Sequence, residues 1–146
     1  IVPTRVGGGG KYLYGFDSFE GLPEHWRTGF SDGKFKLKRL PKVRRNVELI
    51  KGWFNDTLPD FLKKHNEPIS FLHIDCDLYS STRTVFEYCK DRIVSGTVIV
   101  FDDYFNYPGW ENGEHKAFME FIDATGLHYK YIGYNCHHTQ LAVVIE

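Results

Sequence analysis

Two predominantly apolar segments, each followed directly by aspartates, constrain the fold of this chain more than any other feature. The segment ISFLHI (69–74) precedes Asp75, and the segment TVIVF (97–101) precedes Asp102 and Asp103. Short apolar runs of this kind are typical of strands that are buried on both faces of a parallel sheet. The separation of the two groups is that of one strand–helix–strand unit. We therefore expect the aspartates on neighbouring strands, with their carboxylates close together at one sheet edge.

Strand and helix patterns alternate along the rest of the chain. Further strands are predicted over 12–16, 46–52, 129–134 and 141–145, and helices over 57–66, 83–93 and 114–125. Strands that alternate with helices form right-handed crossovers and a mostly parallel sheet. The last two strands are joined by the polar turn NCHHTQ, which predicts a C-terminal antiparallel hairpin. The predicted fold class is therefore α/β.

Composition and charge exclude several classes of protein. The net charge of −1 gives the chain no global attraction to nucleic acid or to an anionic membrane. No apolar run approaches the roughly 20 residues that span a bilayer, and no signal-peptide pattern opens the chain. Three cysteines without CxxC spacing argue against a disulfide framework. We expect a cytoplasmic protein with reduced thiols, and we interpret the basic stretch at 34–45 as solvated.

The acids after the apolar strands are candidates for a metal site. Asp75, Asp77, Asp102 and Asp103 would repel one another unless a proton or a cation compensates them. Oxygen ligands favour Mg²⁺, Ca²⁺ or Mn²⁺ over zinc. The structural alternative is that single acids only form turns and cap the helices that follow.

Four segments of the chain resemble the macrocin O-methyltransferase family. They are YGFDSFEGLPE (14–24), GWFNDTLPDFL (52–62), HIDCDLYSST (73–82) and VIVFDDYFNYPGW (98–110). The resemblance implies a three-layer, Rossmann-like class I methyltransferase sheet. It also implies a metal-dependent O-methyltransferase that uses S-adenosylmethionine and acts on a hydroxyl of a sugar or natural-product acceptor.

The resemblance assigns roles to the acids at the strand ends. It implies that Asp75, Asp102 and Asp103 hold a divalent metal, usually Mg²⁺, which in turn holds two vicinal oxygens of the acceptor. Asp77 matches the general base of the family. This chemistry is physically reasonable, because a metal lowers the pKa of a bound hydroxyl so that a carboxylate can remove its proton.

The cofactor residues follow from the same resemblance. Asp17 matches the acid that accepts hydrogen bonds from the ribose hydroxyls, and Ser18 and Phe19 would lie beside the adenosine. Trp53 follows the strand where adenine packs, although a role in the core is an equal alternative. Asp75 is counted among the cofactor contacts as well. Three rings after the metal pair would either form an acceptor wall or pack in the core: Tyr104, Tyr107 and Trp110.

The glycines at 7–10 mark a departure from the family pattern. Only Lys11 separates them from the next strand, which leaves no room for the helix that normally follows the glycine-rich turn. We therefore expect a flexible lead-in over 1–10, one methyltransferase-like domain over 11–146, and a domain that lacks its usual N-terminal strand. Unpaired strand edges would then allow a homodimer. Two alternatives stay open, a catalytically incompetent binding or assembly module and a metal-dependent hydrolase.

Overall fold

A computed structural model describes residues 2–5 and 11–146 of the protein. Strands and helices alternate along these residues, as the sequence predicts. The elements are β1 (Val2–Arg5), β2 (Lys11–Asp17), β3 (Val47–Lys51), α1 (Phe54–Lys64), β4 (Phe71–Ile74), α2 (Tyr79–Cys89), β5 (Val98–Phe101), α3 (Glu114–Thr125), β6 (Tyr129–Tyr134) and β7 (Leu141–Ile145). None of the helices in the described ranges combines the length and the apolar character that a bilayer-spanning helix requires.

The strands form two sheets, with the orders β1-β2-β3 and β4-β5-β7-β6. The pairs β2/β3 and β4/β5 are parallel, whereas β1/β2, β5/β7 and β6/β7 are antiparallel. This arrangement confirms the α/β class and the C-terminal antiparallel hairpin. The sheets are more mixed than the predicted mostly parallel sheet, because β1 adds a further antiparallel pair.

Strand β1 lies where the sequence predicts a flexible lead-in. Residues Val2 to Arg5 pair with Tyr14 to Lys11 of β2. Cα atoms of β1 also approach those of β4 within 8 Å, so β1 lies between the two sheets. The open edge of β2 provides the backbone groups for this pairing, and the assignment of residues 1–10 as a flexible lead-in stays a prediction. The glycines at 7–10 lie outside the described residues.

Helices α1, α2 and α3 supply most of the core together with the second sheet. Residues from these elements form one buried cluster, which includes Leu58, Ile74, Phe86, Phe101 and Phe118. The rings of Phe86 and Phe121 stack with their centroids 4.6 Å apart, which joins α2 to α3. Burial of large apolar side chains is the main stabilising contribution to such a domain.

Two helices begin earlier than their sequence signals predict. Helix α1 begins at Phe54, and the Thr57 hydroxyl donates a 2.9 Å hydrogen bond back to the Trp53 carbonyl instead of capping the helix. Helix α2 begins at Tyr79, four residues ahead of the predicted start at Arg83. By contrast, α3 and the hairpin strands have the predicted bounds.

A long loop (18–46) connects β2 to β3 and folds back on itself. Gly21 has φ of +83°, and a Cβ there would meet the Lys34 carbonyl at 2.3 Å. Glycine is therefore required at this close approach. The Leu22 amide donates to the Lys34 carbonyl at 2.9 Å, and the Gly33 amide donates to the Leu22 carbonyl at 2.9 Å. The basic stretch at 34–45 is exposed, as predicted.

Candidate functional site

A cavity of about 690 Å³ opens at the carboxyl ends of β2, β4 and β5. The loop 18–46 forms one wall, and the polar turn before β7 contributes another part of the lining. Five aspartates face the cavity, and they are Asp17, Asp75, Asp77, Asp102 and Asp103. Ligands of open α/β sheets bind at this edge, so this cavity is the candidate site.

Two of the predicted metal ligands are neighbours at the ends of adjacent strands. Ile74 of β4 is in register with Phe101 of β5, and the Asp102 amide donates a 2.9 Å hydrogen bond to the Ile74 carbonyl. Asp75 and Asp102 therefore leave the sheet side by side. Desolvation by the cavity walls, and then the charge of Asp102, raise the pKa of Asp75 above its ordinary value, although the residue is exposed within the cavity.

Asp77 and Asp103 form the second pair of acids. Their carboxyl groups lie close enough to interact, and a hydrogen bond between them requires that one of them is protonated. Burial, followed by the charge of Asp103, raises the pKa of Asp77 to about 7. Asp103 is 6% exposed, and burial also raises its pKa. The pair therefore holds a proton near neutral pH.

The backbone of Asp77 is unusual for a residue other than glycine. Its φ of +61° lies in the left-handed region. Aspartate tolerates this region better than most residues, but the conformation still carries a cost. Strained backbone of this kind is frequent at functional sites.

Glu114 is a site residue that the sequence reasoning did not select. It is fully buried at the start of α3. Its Oε1 accepts the Cys76 amide and its Oε2 accepts the Asp103 amide, both at 3.3 Å. One carboxyl group therefore links the two acidic strand ends, and burial raises its pKa well above the ordinary value. The sequence signal is weak, because an acid in the first turn of a helix usually lies on the surface.

The turn before β7 holds the third strand end in place. Thr139 donates a 2.6 Å hydrogen bond from its hydroxyl to the Asp102 carbonyl. Gln140 donates from Nε2 to Asp102 Oδ1 at 3.1 Å. The sequence reasoning treated this turn only as a polar connection. In the structure it orients one of the predicted metal ligands.

The chemistry of the donor set suits a hard cation, although the present geometry does not enclose one. Within residues 2–5 and 11–146, no group of three or more His, Cys, Asp or Glu side chains is arranged to hold a metal ion. However, Asp75, Asp77 and Asp103 all have raised pKa values, because burial and neighbouring carboxylates disfavour their charges. A divalent cation would relieve this repulsion, and oxygen ligands of this type favour Mg²⁺.

The predicted cofactor residues divide into two groups. Asp17, Ser18 and Trp53 line the cavity together with Asp75. Phe19 does not line it, because its ring is 7% exposed and turned into the protein. The Phe19 amide instead donates a hydrogen bond to Asp17 Oδ1, which orients that carboxylate. Phe19 therefore supports the site through its backbone, and its expected position beside the adenosine stays a prediction.

Of the two alternatives for the rings that follow Asp102 and Asp103, packing against the protein describes the structure better than an acceptor wall. Tyr104 is 3% exposed and packs on Phe101 with centroids 4.9 Å apart, so it belongs to the core. Tyr107 donates to the Asp103 carbonyl at 3.3 Å, and Trp110 packs on His115. None of these three rings lines the cavity. The aromatic wall comes from the loop 18–46 instead, through Trp26, Phe30 and Phe35.

These features define the class of the protein as an α/β domain with a ligand cavity at the carboxyl ends of its parallel strands. A family model described as a methyltransferase domain matches residues 4–104. This match covers more than half of the chain, and the chain belongs to that methyltransferase domain family. The narrower assignment to the macrocin O-methyltransferases stays a prediction.

Two curated relatives are O-methyltransferases of Streptomyces. The chain is 29% identical to demethyldecarbamoylnovobiocin O-methyltransferase of Streptomyces niveus, over 73% of this chain and 48% of the relative. It is 31% identical to 8-demethyl-8-(2,3-dimethoxy-alpha-L-rhamnosyl)-tetracenomycin-C 4'-O-methyltransferase of Streptomyces olivaceus, over 60% of this chain and 40% of the relative. The chain therefore spans about half the length, or less, of the curated relatives it matches.

Solved structures show the same fold. The calicheamicin methyltransferase CalS11 matches with a TM-score of 0.71 and 22% identity, over 91% of this chain and 60% of that chain. The O-methyltransferase NovP matches with a TM-score of 0.62 and 22% identity, over 91% of this chain and 59% of that chain. These likenesses confirm the Rossmann-like methyltransferase fold.

Proposed function

We propose that the protein is an S-adenosylmethionine-dependent O-methyltransferase that acts on a hydroxyl of a sugar or natural-product acceptor. The observation that carries this proposal is the meeting of two groups of residues in one cavity. Asp17 and Trp53 lie at the side of the first sheet, and the four acids that follow β4 and β5 lie at the other side. Both relatives described above carry O-methyltransferase names, which supports the same reaction class.

The first group suits the methyl donor. The Asp17 carboxylate is oriented by its own turn and can accept hydrogen bonds from ribose hydroxyls. Trp53 is 40% exposed at the start of α1, where its ring is available for stacking on adenine. The Ser18 hydroxyl accepts a hydrogen bond from the Glu20 amide at 3.1 Å.

The second group suits a divalent metal and an acceptor hydroxyl. We assign Asp75, Asp102 and Asp103 as the residues that would hold Mg²⁺. When bound, the metal would supply charge that lowers the pKa of an acceptor hydroxyl. The protein's own residues fix this corner of the cavity, because Glu114, Thr139 and Gln140 bind the backbone and side chains of the strand ends.

Asp77 is assigned as the general base. Burial and the charge of Asp103 raise its pKa to about 7, which is close to the value that suits proton transfer at neutral pH. Its backbone lies in the left-handed region, with φ of +61°. It would accept the proton of the acceptor hydroxyl as that oxygen attacks the donor methyl group.

Calorimetric titration tests the proposed reaction class. Wild-type protein is titrated with S-adenosylmethionine and with its demethylated product, each with and without Mg²⁺. We expect binding in the micromolar range, the range in which enzymes commonly bind their substrates. Millimolar or weaker binding of both compounds would contradict the proposed methyl transfer and leave only a common ancestry with methyltransferases.

Two substitutions separate the roles of the acids. Asp102→Asn should abolish Mg²⁺-dependent activity without unfolding the protein, and Asp77→Asn should slow turnover while it spares Mg²⁺ affinity. Asp123→Asn, on the exposed face of α3, is the matched control. Unchanged activity in Asp102→Asn would overturn the ligand assignment. Loss of Mg²⁺ affinity in Asp77→Asn would make that residue a ligand and not the base.

A second candidate function is a binding or assembly module without catalysis. The observation that favours it is the antiparallel pairing of β1 with β2, which differs from the parallel first strand of the resembled family. Such a module would associate through strand edges, and a homodimer is the expected form. Sedimentation at several concentrations, together with absent donor binding, would select this candidate.

A further inference from the structure

Arg27 is held inside the cavity wall by aromatic rings. Its guanidinium carbon lies 3.8 Å from the centroid of Trp26, 4.9 Å from that of Phe30 and 5.1 Å from that of Tyr107. Stacking of this kind uses the face of the guanidinium group and leaves its edge nitrogens available for hydrogen bonds in the plane. The loop 18–46 therefore presents a cation in a fixed orientation.

This cation has no hydrogen-bonding partner of its own. Within the described residues, Arg27 forms no ion pair and no side-chain hydrogen bond, and its Nε is buried without a partner. Buried donors without partners are uncommon in folded proteins and call for an explanation. Among the described residues, Arg27 is also the single arginine or lysine that lines the cavity.

Arg27 places a positive charge at one wall of a cavity that also contains the negatively charged aspartates. Its charge acts on Asp77 and on Asp103, where it partly offsets the burial that raises their pKa values. The residue therefore lies within electrostatic reach of the proposed base. Asp17 and Trp53 occupy the donor side, so the wall that carries Arg27 is the part of the cavity left for the acceptor.

We infer that Arg27 binds an anionic group of the acceptor, such as a carboxylate or a phosphate. The anion would meet the edge of the guanidinium group, and the neighbouring Trp26, Phe30 and Phe35 rings would contact a flat or apolar part of the same molecule. The aspartates would repel the anion, so the acceptor hydroxyl is the end that turns toward Asp77. This inference rests on the proposed function, because it assigns the remaining wall to the acceptor.

The competing explanation is that Arg27 only balances the charge of the acids. The two explanations differ in what a lysine at this position can replace. Charge balance alone would let Arg27→Lys, which keeps the positive charge, retain the whole preference for anionic ligands. Direct recognition by the edge of the guanidinium group would make Arg27→Lys lose part of that preference.

A matched pair of probes tests the inference. Protocatechuate carries a carboxylate on a catechol ring, and its carboxamide is neutral and of nearly the same shape. Both are titrated into the full chain with Mg²⁺ and the demethylated cofactor present, and tryptophan fluorescence and calorimetry report binding. We expect the wild type to prefer the carboxylate by about tenfold or more, in line with charge-assisted hydrogen bonds.

Variants at Arg27 complete the test. Arg27→Gln should abolish the preference, and Arg27→Lys should retain part of it. Arg83→Gln, which removes an arginine from the exposed face of α2, should retain all of it. Equal affinities for the two probes in the wild type would overturn the inference, and so would a preference that survives in Arg27→Gln. The wild-type comparison stands even where Arg27→Gln fails to fold.

The outcome is separable from that of the proposed function. Cofactor binding is measured on the same proteins without either probe. Absent cofactor binding with an intact carboxylate preference would reject methyl transfer and keep Arg27 as an anion-binding residue. Normal cofactor binding without a carboxylate preference would reject the role of Arg27 alone.

Discussion

The two sheets of this protein support their functional residues in different ways. The second sheet and its helices contain the buried cluster, with Ile99, Phe101, Phe118 and Val143 fully inaccessible to solvent. The first sheet contributes Phe16 to the edge of that cluster, and its Tyr14 packs on α1. The acids of the second sheet therefore stand on a close-packed base, whereas Asp17 stands at the end of a less buried strand.

The hydrogen bonds follow the same division. The strand ends of the second sheet are fixed by partners distant in sequence, such as Glu114 and Gln140. Among the hydrogen bonds of the described residues, the Asp17 side chain is oriented by the amide of Phe19, two residues away. Partners that are distant in sequence tie the positions of these acids to the packing of the second sheet, and the proposed catalytic role requires such fixed positions. A locally held side suits a cofactor that must enter and leave.

The largest expected effect on the free energy of unfolding comes from a substitution in the buried cluster of the second sheet and its helices. Phe118 is fully buried, and its ring meets Phe101 and Tyr129 with centroid distances of 5.1 and 4.8 Å. Phe118→Ala should lower the free energy of unfolding by about 3–5 kcal/mol, measured by urea denaturation. Tyr12→Ala, in the first sheet and 47% exposed, should cost less than about 1 kcal/mol. Similar losses in both variants would contradict the comparison.

Substitution of Glu114 should lower the free energy of unfolding more than substitution of any exposed acid of α3. Glu114→Ala leaves the Cys76 and Asp103 amides without acceptors and should cost about 2–4 kcal/mol, since each buried unsatisfied donor costs about 1–3 kcal/mol. Glu114→Gln keeps one acceptor and should cost less.

The control for Glu114 is Glu120→Gln, whose side chain is exposed on the same helix. It should change the free energy of unfolding by less than about 1 kcal/mol. Calorimetry with Mg²⁺ adds a readout that stability alone does not provide. A Glu114→Gln protein with wild-type stability and wild-type Mg²⁺ affinity would show that the link between the strand ends is unimportant.

The Gln140 contact should act on metal affinity more than on stability. Gln140→Ala removes the hydrogen bond to Asp102 Oδ1 and should weaken Mg²⁺ binding by about 10-fold, the usual scale for residues that orient metal ligands. Asn135, which bonds to Gln140, supplies the control Asn135→Ala, with a smaller expected effect. Equal Mg²⁺ affinities in Gln140→Ala and the wild type would contradict the orienting role assigned to Gln140.

The smallest expected effect concerns the reactivity of two cysteine thiols, which depends on how closely the surrounding residues pack. Cys89 is 1% exposed, and burial raises the pKa of its thiol to about 12, whereas Cys136 is exposed in the hairpin turn. Because the thiolate is the reactive form, iodoacetamide at neutral pH should label Cys136 in the folded protein and Cys89 only after unfolding. Peptide mass spectrometry identifies the labelled cysteines. Labelling of Cys89 in the folded protein would contradict the close packing of the second sheet and its helices.

The sequence predicts the parts of the fold that depend on local pattern. The bounds of α3 and of the hairpin strands follow from apolar periodicity, with Gly126 ending α3 at φ of +67°. The adjacency of Asp75 and Asp102 follows from one strand–helix–strand unit.

Tertiary contacts explain what the sequence does not predict. Glu114 has the signature of a surface acid, and only the packing of α3 against both strand ends buries it. Phe19 has a left-handed backbone with φ of 59°, and its side chain is buried. Tyr104 follows Asp102 and Asp103 in sequence but faces the core. Arg27 lies in a loop without periodicity, so its position depends on how that loop folds back.

The most direct test of the central claim is a pair of affinities measured in a pair of variants. S-adenosylhomocysteine and Mg²⁺ are titrated calorimetrically into the wild type, Asp17→Asn and Asp102→Asn. The account predicts that Asp17→Asn weakens S-adenosylhomocysteine by about tenfold and spares Mg²⁺, since a hydrogen bond that involves a charged group is worth about 1.5–3 kcal/mol. Asp102→Asn should do the reverse. Loss of both affinities in each variant, or of neither, would contradict a cavity divided between a donor side and a metal side.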